Sequence, residues 1–328
     1  MKKRGIGYGS LMFPLGLGLG RSDVASALAQ LNEDGTINVL IGVADLGQGS
    51  NNVMAMIAAE VLGIKLEDVT VTSADTAVTP FCGPTTASRA TYTTGNAVKN
   101  AAIEMRQILL ESGAELLGTN PEGLTIQDRM IYQDGKKTSV SIADAAANCY
   151  STGKKYVVVG TFDATTGGVN METGQGDGFI GYTYGTQVAE VEVDTDTGEV
   201  KVLRIVAAHD AGRAINPISL EGQIEGGVAM GVGHTFMEKV ILDHGKTLTP
   251  TLAEYLVPTV KDIPEIVSLV VEEQEPTGPF GAKGVAEPPT VGTAPAIINA
   301  IYDAVGIRIT ELPATPEKVR QLLKEKGY

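Results

Sequence analysis

The stretch that decides the fold class is residues 184–208, YGTQVAEVEV DTDTG EVKVLRIVAA. Two runs rich in β-branched residues, 184–193 and 199–208, flank a polar turn that ends in Gly198. Such a pattern predicts two paired strands joined by a tight connection. The same signature occurs earlier, where residues 27–31 and 36–41 flank Asn32-Glu33-Asp34-Gly35. The chain is therefore expected to contain antiparallel hairpins.

Helical spacing of apolar residues appears between these hairpins. It predicts helices over 53–64 with Ser50 as N-cap, over 93–117, over 219–230 and over 294–305, and a short terminal helix capped at Thr315. A strand is expected at 69–72, another at 124–133, and a helix start at 139–147. Because hairpins and helices are interleaved, the predicted class is α+β, not a doubly wound parallel sheet.

A polar, glycine-rich stretch at 165–178 is typical of an exposed loop or a domain boundary. We place the boundary there. The expected domains are 1–165 and 166–328, with strands exchanged between the two.

Composition excludes several classes of protein. A formal charge of −14 disfavours nucleic acid and anionic membrane as partners. Two cysteines are too few for an iron–sulfur cluster or a Cys-rich zinc site, and no segment approaches the roughly 20 apolar residues of a membrane span. The 40 glycines in 328 positions, about 12%, exceed the usual roughly 7% and suggest loops that lie against a ligand. We expect a cytoplasmic protein that binds small molecules and other proteins.

The first candidate binding motif is Gly47-Gln48-Gly49, which lies between a predicted strand and a predicted helix. Unpaired N–H groups and the helix dipole would favour an anion there. The third glycine of a dinucleotide fingerprint is missing, because Asn52 occupies that position. An ordinary strand-to-helix turn is the alternative interpretation.

The second candidate is residues 84–91, PTTASRAT, which precede a predicted helix. Its hydroxyl groups and one guanidinium could bind a pterin or a phosphate. The alternative is a plain approach to a helix, with Thr91 or Thr93 as the cap.

Two further polar residues lie in glycine-rich or proline-rich surroundings. Gln223 stands among glycines in EGQIEGG, residues 221–227, and Glu287 precedes Pro288-Pro289. The alternative for the Gln223 segment is a site where glycines let two helices cross closely. The alternative for Glu287 is an exposed carboxylate at the start of a helix, stabilised by the helix dipole. The three histidines show no metal-binding spacing, and neither a nucleophile elbow nor a P-loop is present. A cofactor is therefore expected to supply the chemistry.

Together these segments resemble the carboxy-terminal molybdopterin-binding half of the xanthine dehydrogenase and aldehyde oxidase family. The likeness rests on ADLGQG (44–49), TASR (86–89), Asn216-Pro217 with GQIEG (222–226), and KGVAEPP (283–289). Each motif alone is weak evidence for the family. All four occur in the family's order, and the match covers nearly the whole chain. It implies a fold of two mixed sheet-and-helix subdomains of the molybdopterin-binding type of that family.

The resemblance also implies roles for single residues. Glu287 would be the catalytic base. The residues expected to contact the cofactor are Gly47, Gln48, Gly49, Ala87, Ser88, Arg89, Thr91, Gln223 and Gly284. The cofactor would be molybdopterin cytosine dinucleotide, its molybdenum held by the pterin dithiolene and bearing a terminal sulfido or selenido ligand. Two departures from the family pattern are Ala90, where a hydroxyl residue is common, and Ala286, where glycine is common.

The implied reaction is hydroxylation of an electron-poor carbon of an N-heterocycle with water as oxygen source, nicotinate to 6-hydroxynicotinate being the expected case.

The family's chain is usually about twice as long, and the match begins near its midpoint. The division of subunits resembles that of nicotinate dehydrogenases, with a large molybdopterin subunit, a [2Fe–2S] subunit and an FAD subunit, assembled as a dimer of hetero-oligomers with NADP as final acceptor. The alternatives are a purine or aldehyde hydroxylase, a non-catalytic scaffold, and a nicotinamide-binding dehydrogenase.

Overall fold

Strands and helices alternate along the chain, and the computed structural model describes all residues from 1 to 328. The strands are β1 (Lys2–Pro14), β2 (Val24–Leu31), β3 (Ile37–Ile41), β4 (Val69–Ser73), β5 (Leu124–Gln127), β6 (Met130–Gln133), β7 (Lys136–Ser141), β8 (Val157–Asp163), β9 (Gly168–Val169), β10 (Gly176–Asp177), β11 (Tyr182–Asp194), β12 (Val200–Asp210), β13 (Leu242–Asp243), β14 (Lys246–Thr247) and β15 (Glu265–Val271). The α-helices are α1 (Ser50–Leu62), α2 (Gly95–Leu117), α3 (Ile142–Thr152), α4 (Pro217–Phe236), α5 (Pro288–Val305) and α6 (Pro316–Lys326). None of them combines the length and apolar character that a membrane crossing requires.

The chain forms two compact units, each built from discontinuous segments. Unit 1 contains Met1–Phe13, Tyr182–Glu273 and Val285–Tyr328, and unit 2 contains Pro14–Gly181 and Gln274–Gly284. Each unit mixes sheets and helices, which confirms the predicted α+β class. The expected division into molybdopterin-binding subdomains at 165/166 stays a prediction.

Unit 1 is centred on a four-stranded sheet in the order β1-β11-β12-β15. The hairpin predicted at 184–208 is confirmed as β11 and β12, which pair antiparallel with Gly185 opposite His209, and β15 runs parallel to β12. Alternate residues of β11 are buried with the apolar faces of α4, α5 and α6. Burial of this shared core supplies the main favourable free energy for the unit.

Unit 2 contains a second four-stranded sheet, ordered β4-β3-β2-β8. The predicted hairpin is again confirmed, since β2 and β3 pair antiparallel with Leu31 opposite Ile37, and β4 joins β3 in parallel after α1. Helix α2 packs directly on β8. A Cβ atom at Gly160 would lie 2.0 Å from the carbonyl oxygen of Ala97, so only glycine permits this approach.

Three of the differences between predicted and observed elements have a local physical cause. The single strand expected at 124–133 is two strands, β5 and β6, joined at Asp128 and Arg129, both of which have positive φ. Helix α1 has Gly49, not Ser50, as its N-cap. Helix α5 begins six residues before the predicted start at 294, at Pro288, since proline is tolerated in a first turn whose N–H groups need no intrahelical partner.

Candidate active site

The predicted site residues fall into two groups. Unit 2 holds Gly47, Gln48, Gly49, Ala87, Ser88, Arg89, Thr91 and Gly284, and unit 1 holds Gln223 and Glu287.

The Gly47–Gly49 loop of unit 2 is closed by a carboxylate from its own chain. Asp45 accepts hydrogen bonds from the backbone N–H groups of Gly47 (3.0 Å), Gly49 (3.2 Å) and Asn51 (3.1 Å). Burial would raise the pKa of the Asp45 carboxyl, but these three bonds outweigh it and hold the pKa below the usual 3.8. The expectation that these N–H groups are unpaired and ready for an anion is therefore wrong, because Asp45 already occupies them.

The Gln48 side chain also folds back onto its loop. Its amide nitrogen donates to the carbonyl of Ala44 (2.8 Å) and to Ser50 Oγ (3.1 Å), and its Oε1 accepts from the N–H of Leu46 (2.5 Å). These bonds make Gln48 a brace for the loop. A contact between Gln48 and a cofactor stays a prediction, and it would require at least one of these bonds to be released.

Ala87 and Ser88 give the second candidate loop its shape. Both residues are in the left-handed region, with φ of 55° and 45°, a conformation that non-glycine residues adopt at a cost and that clusters at ligand sites. The Ala87 carbonyl accepts from the N–H of Gly16 at 3.1 Å. The hydroxyl of Thr85 accepts from the N–H of Ala44 at 3.1 Å, which ties this loop to the base of the Gly47–Gly49 loop.

Arg89 holds the loop that contains Ala87 and Ser88 through buried hydrogen bonds. Its side chain is fully buried and forms an ion pair with Asp23, Nε to Oδ1, at 2.5 Å. The remaining guanidinium bonds go to the carbonyl oxygens of Cys82, Pro84 and Val24. A buried ion pair tolerates such burial only when its other donors are satisfied, as they are here. The geometry supports an anchoring role for Arg89, and direct cofactor contact by its guanidinium stays a prediction.

Gly284 ends the segment Gln274–Gly284, which packs against α2 and the second loop. The Tyr92 hydroxyl bonds Thr277 Oγ1 (2.5 Å), and Asn96 donates to the Thr277 carbonyl (2.8 Å). A Cβ atom at Gly284 would lie 1.6 Å from the carbonyl oxygen of Ser88, so no other residue fits. Unit 2 therefore brings Ser88 and Gly284 into direct contact, as the predicted site requires.

The start of α2 is widened into a single π-turn over Ala90–Thr94, which contains Thr91. Such turns occur frequently at functional sites. Thr94 Oγ1, at the end of this turn, is buried without a hydrogen-bond partner, and so is Asn51 Oδ1 in the first turn of α1. Each predicted cofactor loop is thus followed by a buried polar atom that the protein leaves unsatisfied, which is a signal that the sequence could not give.

In unit 1, α4 and α5 cross closely at small residues. A Cβ atom at Gly227 would lie 2.5 Å from Pro289 Cβ, and one at Gly231 would lie 2.4 Å from Thr293 Cβ. Both contacts advance by four residues, so the two helices run in the same direction at the crossing. One turn earlier, Gln223 is therefore level with the residues that precede Pro289.

This register sets Glu287 level with Glu225, so Gln223 and Glu287 lie within about one turn of each other along the helix pair. Glu287 is the N-cap residue of α5, its carbonyl accepts from the N–H of Thr290 at 3.0 Å, and its side chain is half-buried. Asn216 caps the start of α4 by accepting from the N–H of Ser219 at 3.2 Å. A carboxylate and an amide thus lie at similar levels of two packed helices, a placement compatible with proton transfer.

The exposed face of α4 at Gly222 and Gly226 is open. A Cβ atom at either position would meet no atom within 4 Å. The glycine-relieved crossing considered from the sequence is therefore real, but it belongs to Gly227 and Gly231 alone.

Comparison with known proteins identifies the family. Residues 1–264 match the molybdopterin cofactor-binding domain. The chain belongs to this family. It is 32% identical over 327 residues to the xanthine dehydrogenase molybdenum-binding subunit of Escherichia coli O157:H7, covering 97% of this chain and 42% of the relative. It is 35% identical to the aldehyde oxidoreductase of Megalodesulfovibrio gigas, covering 98% of this chain and 32% of the relative.

Among solved structures, quinoline 2-oxidoreductase from Pseudomonas putida 86 superposes with a TM-score of 0.85 at 27% sequence identity, over 99% of this chain and 42% of that one. The chain thus spans well under half the length of the relatives it matches. The family and the fold type that the sequence predicts are both confirmed.

The residues of unit 2 fit a molybdopterin. The backbone at Ala87 and Ser88 is left-handed, Gly284 approaches Ser88 closely, and the Thr94 hydroxyl is buried without a hydrogen-bond partner. Ala87, Ser88, Arg89, Thr91 and Gly284 would hold the group there, and these contacts stay predictions. Asp45, Asn51 and Thr94 are the residues of this region that the sequence analysis missed.

Proposed function

We propose that this chain is the molybdopterin-binding subunit of a multi-subunit molybdenum hydroxylase and that Glu287 is its catalytic base. When bound, the cofactor supplies the two-electron oxidation that accompanies insertion of a water-derived oxygen into a carbon–hydrogen bond. The observation that supports the proposal is the register of α4 and α5, in which Glu287 and Gln223 lie at similar levels along the helix pair.

The role of Glu287 is to accept a proton on its carboxylate oxygen as the water-derived oxygen attacks the substrate carbon. Gln223 can donate and accept hydrogen bonds, and it would orient the group that faces Glu287. Helix α5 is held against β11 and α4, so the carboxylate is mounted on a rigid element. A base on such an element stays within hydrogen-bond reach of the proton that it removes.

The proposed substrate is an electron-poor carbon next to a ring nitrogen, with conversion of nicotinate to 6-hydroxynicotinate as the specific case. The xanthine dehydrogenase and quinoline oxidoreductase relatives carry the names of N-heterocycles, which supports this class. The aldehyde oxidoreductase relative supports the second candidate, an aldehyde, whose carbonyl carbon is also electron-poor. Nicotinate, hypoxanthine and benzaldehyde, assayed side by side, distinguish the classes.

The proposed assembly completes the activity. It comprises a large molybdopterin subunit, a [2Fe–2S] subunit, an FAD subunit and NADP as acceptor. The proposed cofactor is molybdopterin cytosine dinucleotide with a terminal sulfido or selenido ligand. Cofactor contacts by Gly47, Gln48, Gly49, Arg89 and Gln223, and two cofactor-binding subdomains divided near residue 165, belong to the same proposal. Metal, selenium and nucleotide analysis of the purified complex tests these assignments.

The decisive substitution is Glu287→Gln, which keeps the shape of the side chain and removes its basicity. We expect turnover to fall by at least about 10²-fold, the lower range for loss of a general base, while the molybdenum content stays unchanged. Metal analysis and steady-state turnover of the purified complex are the measurements. Near-normal turnover would contradict the base assignment and favour a scaffold role for the chain.

A matched control is Glu221→Gln, which makes the same change at an exposed carboxylate of α4. We expect this variant to keep wild-type turnover. A similar loss in both variants would indicate a general effect of charge and not a catalytic role.

A further inference from the structure

A buried polar network lies between the sheet of unit 1 and the first turn of α5. Gln187 of β11, His209 of β12 and Thr293 of α5 form it, and all three are fully buried. Gln187 Nε2 donates to the carbonyl oxygen of Pro289 at 2.5 Å and contacts His209 Nε2 at 3.1 Å. Gln187 Oε1 accepts from Thr293 Oγ1 at 2.7 Å. The network thus ends at Pro289, two residues after Glu287.

We propose that Gln187 is a positioning residue for Glu287: it fixes the first turn of α5 by bonding the Pro289 carbonyl. This inference rests on the proposed function, because Glu287 is its target. Pro288 and Pro289 have no N–H groups, and Pro295 removes another donor inside the helix. The missing N–H groups of the first turn cost no intrahelical bond, and Gln187 adds a hydrogen bond from the sheet to the Pro289 carbonyl.

The network also fixes its own orientation. The amide of Gln187 has two hydrogens, one for the Pro289 carbonyl and one for His209 Nε2. A reversed amide would set its oxygen against the Pro289 carbonyl oxygen, which is repulsive. His209 Nε2 must then accept, which puts the proton of the neutral ring on Nδ1, a buried atom with no other hydrogen-bond partner. Burial lowers the pKa of His209 to about 4, which keeps the ring in this form at neutral pH.

Gly185 provides the space for this arrangement. It lies directly opposite His209 in the β11–β12 pair, and a Cβ atom there would lie 2.5 Å from His209 Nδ1. Gln187 is two residues further along the same strand and so points to the same face of the sheet. Gly185 and Gln187 of β11 and Val270 of β15, which is paired with His209, are all uncharged. Apolar side chains alone would be enough to pack β11 against α5, so the polar network is not required for that packing.

The test substitution is Gln187→Met in the whole complex. Methionine keeps the length and volume of the side chain but cannot bond Pro289, and Thr293 Oγ1, 3.0 Å from the Pro289 carbonyl, can then cap the turn so that the unit still folds. We expect kcat to fall roughly 10-fold with KM changed less than about two-fold, as for a base displaced by a fraction of an ångström. Thr235→Val is the matched control. It removes another buried hydroxyl-to-carbonyl bond of unit 1, at the far end of α4, and should leave kcat unchanged.

The conservative variant Gln187→Glu separates positioning from general damage. Its carboxyl group can donate to the Pro289 carbonyl only when protonated. The ratio of its kcat to the wild-type kcat should therefore rise as the pH is lowered from 8 to 6. A ratio that stays constant over this range would overturn the proposal.

Nuclear magnetic resonance of ¹⁵N-histidine-labelled protein gives a readout that needs no turnover. The chain has three histidines, so the spectrum is simple to assign by substitution. We expect His209 to show the neutral tautomer with the proton on Nδ1 and to lose this fixed state in Gln187→Met. A protonated His209 at neutral pH would overturn the network.

The base role of Glu287 and the positioning role of Gln187 are tested separately. If Glu287→Gln keeps turnover, the base assignment is wrong. If Glu287→Gln loses turnover while Gln187→Met keeps its kcat, only the positioning role of Gln187 is wrong.

Discussion

His209 couples its protonation state to the folding of unit 1. Its ring is fully buried, and burial lowers its pKa from 6.5 in the unfolded chain to about 4 in the folded one. Because the unfolded state binds a proton more readily, the contribution of His209 to stability is complete above pH 6.5 and is lost as the pH falls towards 4. We expect about 2 kcal/mol of this contribution to disappear between pH 7.5 and pH 5. Chemical denaturation at the two pH values measures it.

Histidine substitutions isolate this effect. His209→Gln should reduce the difference in unfolding free energy between the two pH values by that amount. His244→Gln changes a side chain that is 98% exposed and should leave the difference as in the wild type. An unchanged difference in His209→Gln would show that the buried ring does not titrate as described.

Single residues also mark where sequence reasoning stops. The motifs single out Glu287 and Gln223, and the register of α4 and α5 sets them at similar levels along the helix pair, while their roles stay predictions. The hydrogen bonds of Asp45 were not foreseen, since nothing in the order of residues shows which carboxylate reaches the N–H groups of a loop. Gln187 was missed because its partner, Pro289, is 102 positions away in the chain. The alternation of β11 does put Gln187 in phase with buried Ala189 and Val191, which is the one sequence signal for its burial.

At the scale of elements, the packing of α4 against α5 determines the position of Glu287 at the start of α5. We expect Gly227→Ala to destabilise unit 1 and lower turnover, because the added Cβ would lie 2.5 Å from Pro289 Cβ and would push the start of α5 away. A loss of roughly 1–3 kcal/mol is typical of overpacking in a tight contact. Thermal unfolding and turnover of the complex measure the two effects.

The neighbouring residue is the matched control. A Cβ atom at Gly226 meets no atom within 4 Å, so Gly226→Ala should raise stability by roughly 0.5–1 kcal/mol through helix propensity alone. Equal destabilisation by both substitutions would mean that the two helices do not cross at Gly227.

Elements with a strong local signal were predicted well. The two hairpins with polar, glycine-ending turns and the helices with regular apolar spacing appear in the structure, with α4 and α5 longer than predicted. The sequence does not predict the turn between β5 and β6, because Asp128 and Arg129 both have positive φ and neither is the glycine that usually marks such a turn. Arg129 is held there by Asp68 Oδ1 at 2.8 Å and by the carbonyl of Asp34 at 2.7 Å. Distant contacts of this kind override local propensity and cannot be deduced from the turn itself.

At the scale of the whole molecule, the chain aligns over 97% of its own length with 42% of the E. coli relative. The order of four weak motifs was enough to predict the family, because joint occurrence constrains far more than any single motif. The substrate was not predictable in the same way. Specificity depends on a few pocket contacts, and no residue of this chain could be assigned to a substrate carboxylate.

The proposed division of the active site between chains makes the last prediction. We expect this chain, expressed alone in a host that makes molybdopterin cytosine dinucleotide, to carry less than stoichiometric molybdenum and to show no turnover. Co-expression with the proposed companion chains should restore both, because a cofactor contacted from one side keeps much of its surface in water and loses affinity. Metal analysis and nicotinate turnover of both preparations are the measurements. Stoichiometric molybdenum and hydroxylation by the lone chain would contradict the division, whereas stoichiometric molybdenum without turnover would place the cofactor on this chain and leave the companion to complete the substrate pocket.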